Sequence, residues 1–146
     1  MKTIGLEFEG YRREEKKGSL ADRAGIYCVY AGTYDESTEK VNVQRLLYIG
    51  KAVSIKDRIG EDSHEHLKDW KRALVAGQEL MYTYAFLSDA DDRTRAESAL
   101  IYYCKPPIND SGTEEFHHPD TKVELSGEHK FIPNEITVYA NGEVKP

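Results

Sequence analysis

Two short runs constrain this chain most: Gly25-Ile26-Tyr27-Cys28-Val29-Tyr30 and Arg45-Leu46-Leu47-Tyr48-Ile49-Gly50. Both are rich in β-branched and aromatic side chains and both are bounded by glycine or polar residues, which is the composition of strands. A polar stretch of Gly, Thr, Asp and Ser over residues 32–40 separates them. That arrangement predicts two paired antiparallel strands joined by a loop.

The flanks supply the rest of the fold. Ile4 to Tyr11 places Ile4, Leu6 and Phe8 on one face, the pattern of a half-buried strand. Residues 12–23 read as a polar connector. Ser54 with Asp57 resembles a capping box, with Ile55 and Ile59 four apart behind it, and predicts a short helix. A second helix is expected from about Ser63 to Ala76, with Leu67, Trp70 and Leu74 on one side and Gly77 as its stop. Leu80 to Leu87 reads as a third strand of this group. Ser88 and Asp91 open a helix that runs to about Cys104, with Ala96, Ala99, Leu100 and Tyr103 as its stripe, and Lys105-Pro106-Pro107 ends it. In the tail, Ser126-Gly127 and Asn141-Gly142 read as hairpin turns between short β-prone runs. The β-β-α-α-β-α order predicts an α+β domain: a small central antiparallel or mixed β-sheet flanked by helices, with a β-rich C-terminal extension. Residues 1–24 form the N-terminal strand and connector, 25–109 the main unit, and 110–146 an acidic extension packed on the same domain.

A length of 146 residues is that of one ordinary domain. The mean hydropathy is −0.67, and no apolar run approaches the roughly 20 residues of a membrane span. The charged start MKTIGLEFEGYRREEKK lacks the apolar core of a secretory signal, so a cytoplasmic location is expected. Cys28 and Cys104 show neither disulfide nor zinc spacing and are expected as buried thiols. The net charge of −6 argues at first against a nucleic-acid partner, but its distribution is uneven. Residues 110–146 carry three basic against eight acidic side chains, whereas residues 44–58 carry Arg45, Lys51, Lys56 and Arg58 against Asp57 alone. A phosphate would be met there.

The residues then carry a resemblance. Gly25-Ile26-Tyr27 and Tyr48-Ile49-Gly50, each on an expected strand, are followed in order by Arg58, Glu97 and Lys105-Pro106-Pro107-Ile108-Asn109. Over residues 25–109 the chain resembles the GIY-YIG nuclease family, to which catalytic domains of excision-repair and homing endonucleases belong. The resemblance implies a divalent-metal-dependent endonuclease that hydrolyses DNA. It implies Tyr27 in proton transfer from the nucleophilic water with Tyr48 close by, Arg58 on the phosphate, and Glu97 holding a single magnesium, or manganese in its place. Asn109 would orient the site. Lys51 would act as a catalytic and binding cation, with Lys56, Arg45 and Gly50 as further substrate contacts.

Phosphodiester hydrolysis needs an activated water, charge stabilisation on the non-bridging oxygens and help for the leaving oxygen. A free tyrosine has a pKa of about 10, so a base role for Tyr27 needs about 4 kcal/mol of help from a cation such as Lys51, Arg58 or a metal. A planar guanidinium suits a phosphate. Glu97 falls on the border of an apolar stripe, where a carboxylate is half buried, and no second acid matches it, which argues against a two-metal clamp. On their own, the tyrosines read as strand packing, Arg58 as a solvated helix arginine and Asn109 as a turn former.

The chain departs from the family pattern in two ways. Tyr48 follows Tyr27 by 21 residues, more than is usual, with the excess expected as an inserted loop around Thr33 to Val43. Many members place a histidine one turn after the arginine, where this chain has Asp62; His64 and His66 come slightly late and read as surface imidazoles, with a stand-in role as the alternative. Glu114-Glu115-Phe116-His117-His118 reads as solvated loop rather than a metal site. No dedicated DNA-reading module is present. Two other readings stand beside the nuclease: a catalytically inactive GIY-YIG-like module that binds nucleic acid or protein, and an unrelated α+β enzyme. The acidic tail is expected to pack away from Lys51, Lys56 and Arg58.

Overall fold

The computed structural model describes residues 1–146. Its strands are β1 (Lys2–Arg13), β2 (Gly25–Asp35), β3 (Lys40–Ala52), β4 (Glu79–Phe86), β5 (Thr121–Gly127), β6 (Glu135–Val138) and β7 (Val144–Lys145). The helices are α1 (Ile55–Ile59), α2 (Leu67–Arg72) and α3 (Ala90–Cys104), with a 3-10 helix over Glu14–Ser19 inside the expected connector. All seven strands form one sheet in the order β3-β2-β4-β1-β5-β6-β7. The pairs are antiparallel except β1 with β5, which is parallel. The fold is α+β with a mixed sheet.

β2 is the reason for two hydrophobic layers. Its first eight residues are all buried, because each face of the strand is covered. Ile26, Cys28 and Tyr30 point into one core with Ala96, Ala99 and Leu100 of α3 and Val123, Ile136 and Val138 of the tail. Tyr27, Val29 and Ala31 point into the other, with Ile55 and Ile59 of α1 and Leu67 and Trp70 of α2. The period of two therefore puts Tyr27 on the α1/α2 face.

Four local expectations are corrected. The polar stretch between the motifs is not an inserted loop: β2 and β3 stay paired out to Asp35 and Lys40. Only residues 36–39 turn, with Ser37 donating its backbone N–H to the Asp35 carboxylate and Glu39 at φ 56°. Thr33, Tyr34, Val41 and Val43 are strand formers, and that preference outweighs the polar residues among them. α2 is shorter than expected and starts only at Leu67, since His66 makes no side-chain cap. α3 is capped by Asp89, which accepts from the Asp92 N–H at 2.9 Å, one residue later than the Ser88–Asp91 reading. Ser126-Gly127 is not a hairpin turn: the chain stays in β5 through Gly127 and turns back only at Glu135. The Asn141-Gly142 turn does form, with Gly142 at φ +91° and its N–H donated to the Tyr139 carbonyl.

The C-terminal extension belongs to the sheet. β5 lies alongside β1 from Lys2↔Thr121 to Phe8↔Gly127, and Val123 and Ile136 are fully buried. Cys28 and Cys104 are free thiols, the first buried and the second half-buried. No helix is long and apolar enough to cross a membrane. Truncation after Ser111 should abolish the cooperative thermal transition, because it strips a partner from β1 and opens one core. Ile136→Ala in the full chain should cost about 2–5 kcal/mol in urea denaturation.

Candidate active site

Tyr27 and Gly50 face each other across β2 and β3. A Cβ on residue 50 would overlap the Tyr27 ring and hydroxyl, so the glycine of the second motif is the space in which the first motif's tyrosine lies. On the other flank Gly25 lets the β4 backbone approach, since a Cβ there would overlap the Ala85 carbonyl. Ile26 and Ile49 are fully buried in the opposite core. Every residue of the two tripeptides except Tyr48 thus has a packing reason for its type. Gly50, expected as a substrate contact, is instead buried beneath Tyr27.

Tyr48 is half-buried and stacks beside Tyr27, with ring centroids 6.2 Å apart and an interplanar angle of 22°. His64, His66 and Trp70 surround it at 5.6, 5.2 and 5.3 Å. Burial pushes the Tyr48 phenol up to about 12, although Arg58 acts to lower it.

His64, expected as a surface imidazole, is buried. It is 5% exposed, and its Nε2 lies 2.7 Å from the Tyr27 hydroxyl. The backbone N–H of His66 donates to His64 Nδ1 at 3.0 Å. Burial, with Arg58 nearby, holds this imidazole down at about 4, so it is neutral at pH 7. A neutral ring that accepts at Nδ1 carries its proton at Nε2. His64 therefore donates to the Tyr27 oxygen and cannot, in this tautomer, take the phenol's proton. The readable signal was the spacing His66 to Trp70, four residues on one side of a short helix; the register of His64 was not readable.

Arg58, on α1, makes two parallel hydrogen bonds to Glu65, each 2.7 Å. The Arg58 side chain is 34% exposed and that of Glu65 60%. The pairing raises the guanidinium further and holds the Glu65 carboxyl down at about 2. Tyr27 is 1% exposed, and burial raises its phenol well above the ordinary value while Arg58 pulls it down.

Glu97 is half-buried on α3, as its place on the stripe predicted. Burial pushes its carboxyl up, opposed by the Lys51 ammonium and backbone N–H and by Arg58. The Lys51 ammonium donates to Thr94 Oγ1 at 2.9 Å, one turn before Glu97. No group of three or more His, Cys, Asp and Glu side chains is placed to share a metal. The donor set is a single carboxylate, which fits a hard cation that keeps several waters and takes phosphate oxygens.

Asn109 closes the site from the side. Its Oδ1 accepts from the Ile49 N–H at 3.0 Å and its Nδ2 donates to the Ile49 carbonyl at 2.9 Å. The side-chain amide thus pairs with the edge of β3 as a neighbouring strand would. Lys56 is exposed on α1. Arg45 is not part of the cluster: it lies roughly 17 Å along β3 from Gly50 and donates to the Ala73 carbonyl at the end of α2. In the 114–118 segment His117 is exposed and paired with Glu115 at 2.8 Å, while Phe116 is buried in the core. Comparison with family models, curated proteins and solved structures gives no match to this chain.

His64 also sets a pH dependence. Between pH 6.5 and about 4 the unfolded imidazole binds a proton that the folded one refuses. Stability should therefore fall as pH drops through that window, by on the order of 3 kcal/mol. Urea titrations from pH 7 to 4 should show the fall, and His64→Gln should flatten it.

Proposed function

We propose that this chain is a divalent-metal-dependent endonuclease that hydrolyses DNA phosphodiester bonds in repair or processing, as its resemblance to GIY-YIG nucleases implies. The observation that carries this reading is the meeting of Tyr27, Tyr48, Arg58 and Glu97 from four elements, with Asn109 and His64 fixing the strand edge and the phenol. Magnesium, or manganese in its place, would be held through Glu97. When bound there, such a cation supplies positive charge for the non-bridging and leaving oxygens.

The residues divide the work. Arg58 donates its fork to two phosphate oxygens and to the charge that builds on them. Tyr27 serves in proton transfer from the attacking water, which requires that positive charge beside it offset the burial that raises its phenol. The water oxygen forms the new bond to phosphorus as the bond to the leaving oxygen breaks, and that leaving oxygen takes a proton from solvent water. His64 Nε2–H and Arg58 are the two groups that stabilise negative charge on the Tyr27 oxygen. Lys51 and Lys56 attract the strand. The setting proposed is the cytoplasm, in keeping with two free thiols.

A second reading, a catalytically inactive binding module, is favoured by two features: Arg58 is engaged by Glu65, and Tyr27 is covered. A gel assay on branched, nicked and linear DNA, and on RNA, with and without Mg²⁺, separates the two. The nuclease should cut only with the metal, and binding without cutting would favour the module. Glu97→Gln should keep the fold and lose metal-dependent cleavage, because a neutral amide is a weak ligand. Arg58→Ala should slow turnover by about 10²–10³ while strand affinity changes by a few fold; equal losses in both would make it a binding contact only.

A further inference from the structure

Glu65 has no part in the chemistry above, yet its carboxylate fills the Arg58 fork with the bidentate geometry that suits a phosphate. The segment that carries it is held without it. Asp62 pairs with the ammonium of nearly buried Lys17 at 2.6 Å. His64 is packed under Tyr27 and receives the His66 N–H. The Leu67 N–H donates to the His64 carbonyl, and Leu67 and Trp70 are buried. Between these anchors the Glu65 side chain is 60% exposed, so it can swing into solvent with no change in the backbone. An ion pair this exposed is weak, and two phosphate oxygens offer Arg58 the same geometry.

We propose that Glu65 is a built-in competitor for the phosphate seat of Arg58, its carboxylate holding the guanidinium until a phosphate of the bound strand displaces it. The proposal rests on the nuclease reading for the identity of that strand. The competitor has two consequences. A lone anion must displace a tethered carboxylate at high local concentration, which selects for strands that also engage Lys51 and Lys56. Arg58 also lies beside Tyr27, so its transfer from Glu65 to a phosphate changes what borders the phenol.

The test is binding of a labelled duplex in EDTA, so that nothing is cut, by the full chain and its Glu65→Gln variant. Affinity should rise about three- to tenfold. Glu61→Gln removes the same charge from an exposed neighbour in the same segment, and should stay within about a factor of two. Arg58→Ala should erase the gain, leaving Arg58→Ala/Glu65→Gln no tighter than Arg58→Ala. An equal gain in Glu61→Gln would mean long-range charge and overturn the proposal. So would a Glu65→Gln variant no tighter than the unaltered chain when Arg58→Ala weakens binding, an outcome that leaves the nuclease reading standing. An Arg58-dependent gain in variants that never cut with Mg²⁺ would uphold the competitor and remove the nuclease. Should Glu65→Gln not fold, the unaltered chain serves: the Arg58 Nε signal in ¹⁵N NMR should move on titration with inorganic phosphate, and an Nε signal unmoved by both phosphate and duplex overturns the proposal.

Discussion

The Tyr27 ring lies in the room left by a missing Cβ on the neighbouring strand. Most of the candidate site follows from that contact. With any larger residue at position 50 the ring would be driven out from the sheet, away from His64 Nε2 and from its stack with Tyr48. Because β2 and β3 are locked in antiparallel register here, with Tyr27↔Gly50 and Cys28↔Ile49 opposite each other, the two tripeptides meet as one structural unit. The segment between the two motifs has more freedom, since lengthening both strands of the hairpin together moves the turn outward and leaves the register at its base unchanged.

Around that unit the polar groups are arranged in order of burial. The deepest, Tyr27 and His64, are hydrogen-bonded to each other, and burial favours the neutral form of both. The intermediate ones, Tyr48, Glu97 and Asn109, border the apolar layers. The outer ones, Arg58, Glu65, Lys51 and Lys56, retain access to water. Such a gradient puts the groups whose ionisation is costly inside and the permanent charges outside. The outer positive charges thus stay accessible even though the protein's net charge is −6.

The strands, their pairing and the α+β class were legible because β-branched runs and a period of two report directly on a half-covered or fully covered sheet. Glu97 was legible for the same reason: its spacing along α3 placed it on the edge of a stripe. Other features depend on contacts between distant segments, and no local pattern encodes those. His64 comes from a segment without helical or strand period, and it is covered by Tyr27, Tyr48 and Trp70, which come from three other elements. Glu65 drew no attention, since an exposed glutamate in a polar stretch is ordinary until its partner is known. Asn109 was readable as a turn former. That its amide substitutes for a strand could be seen only once Ile49 was found opposite it. Arg45 shows the reverse limit: charge counted along the sequence placed it with Lys51 and Arg58, but a strand spreads five residues over a distance that separates them.

The parallel partnership of β1 with β5 also bears on how the molecule comes into being. Lys2 lies opposite Thr121, so the contact closes a long loop from residue 2 to residue 121, the kind of pairing that is entropically dear and forms slowly. During synthesis β1 can meet β4 through Arg12 and Arg13, but its other half lacks its β5 neighbour until residues 121–127 emerge. Throughout that interval an apolar strip of Ile4, Leu6 and Phe8 is left with an open edge. The two motifs are thus complete well before the sheet that supports them, and residues 121–127 decide when residues 2–8 become native.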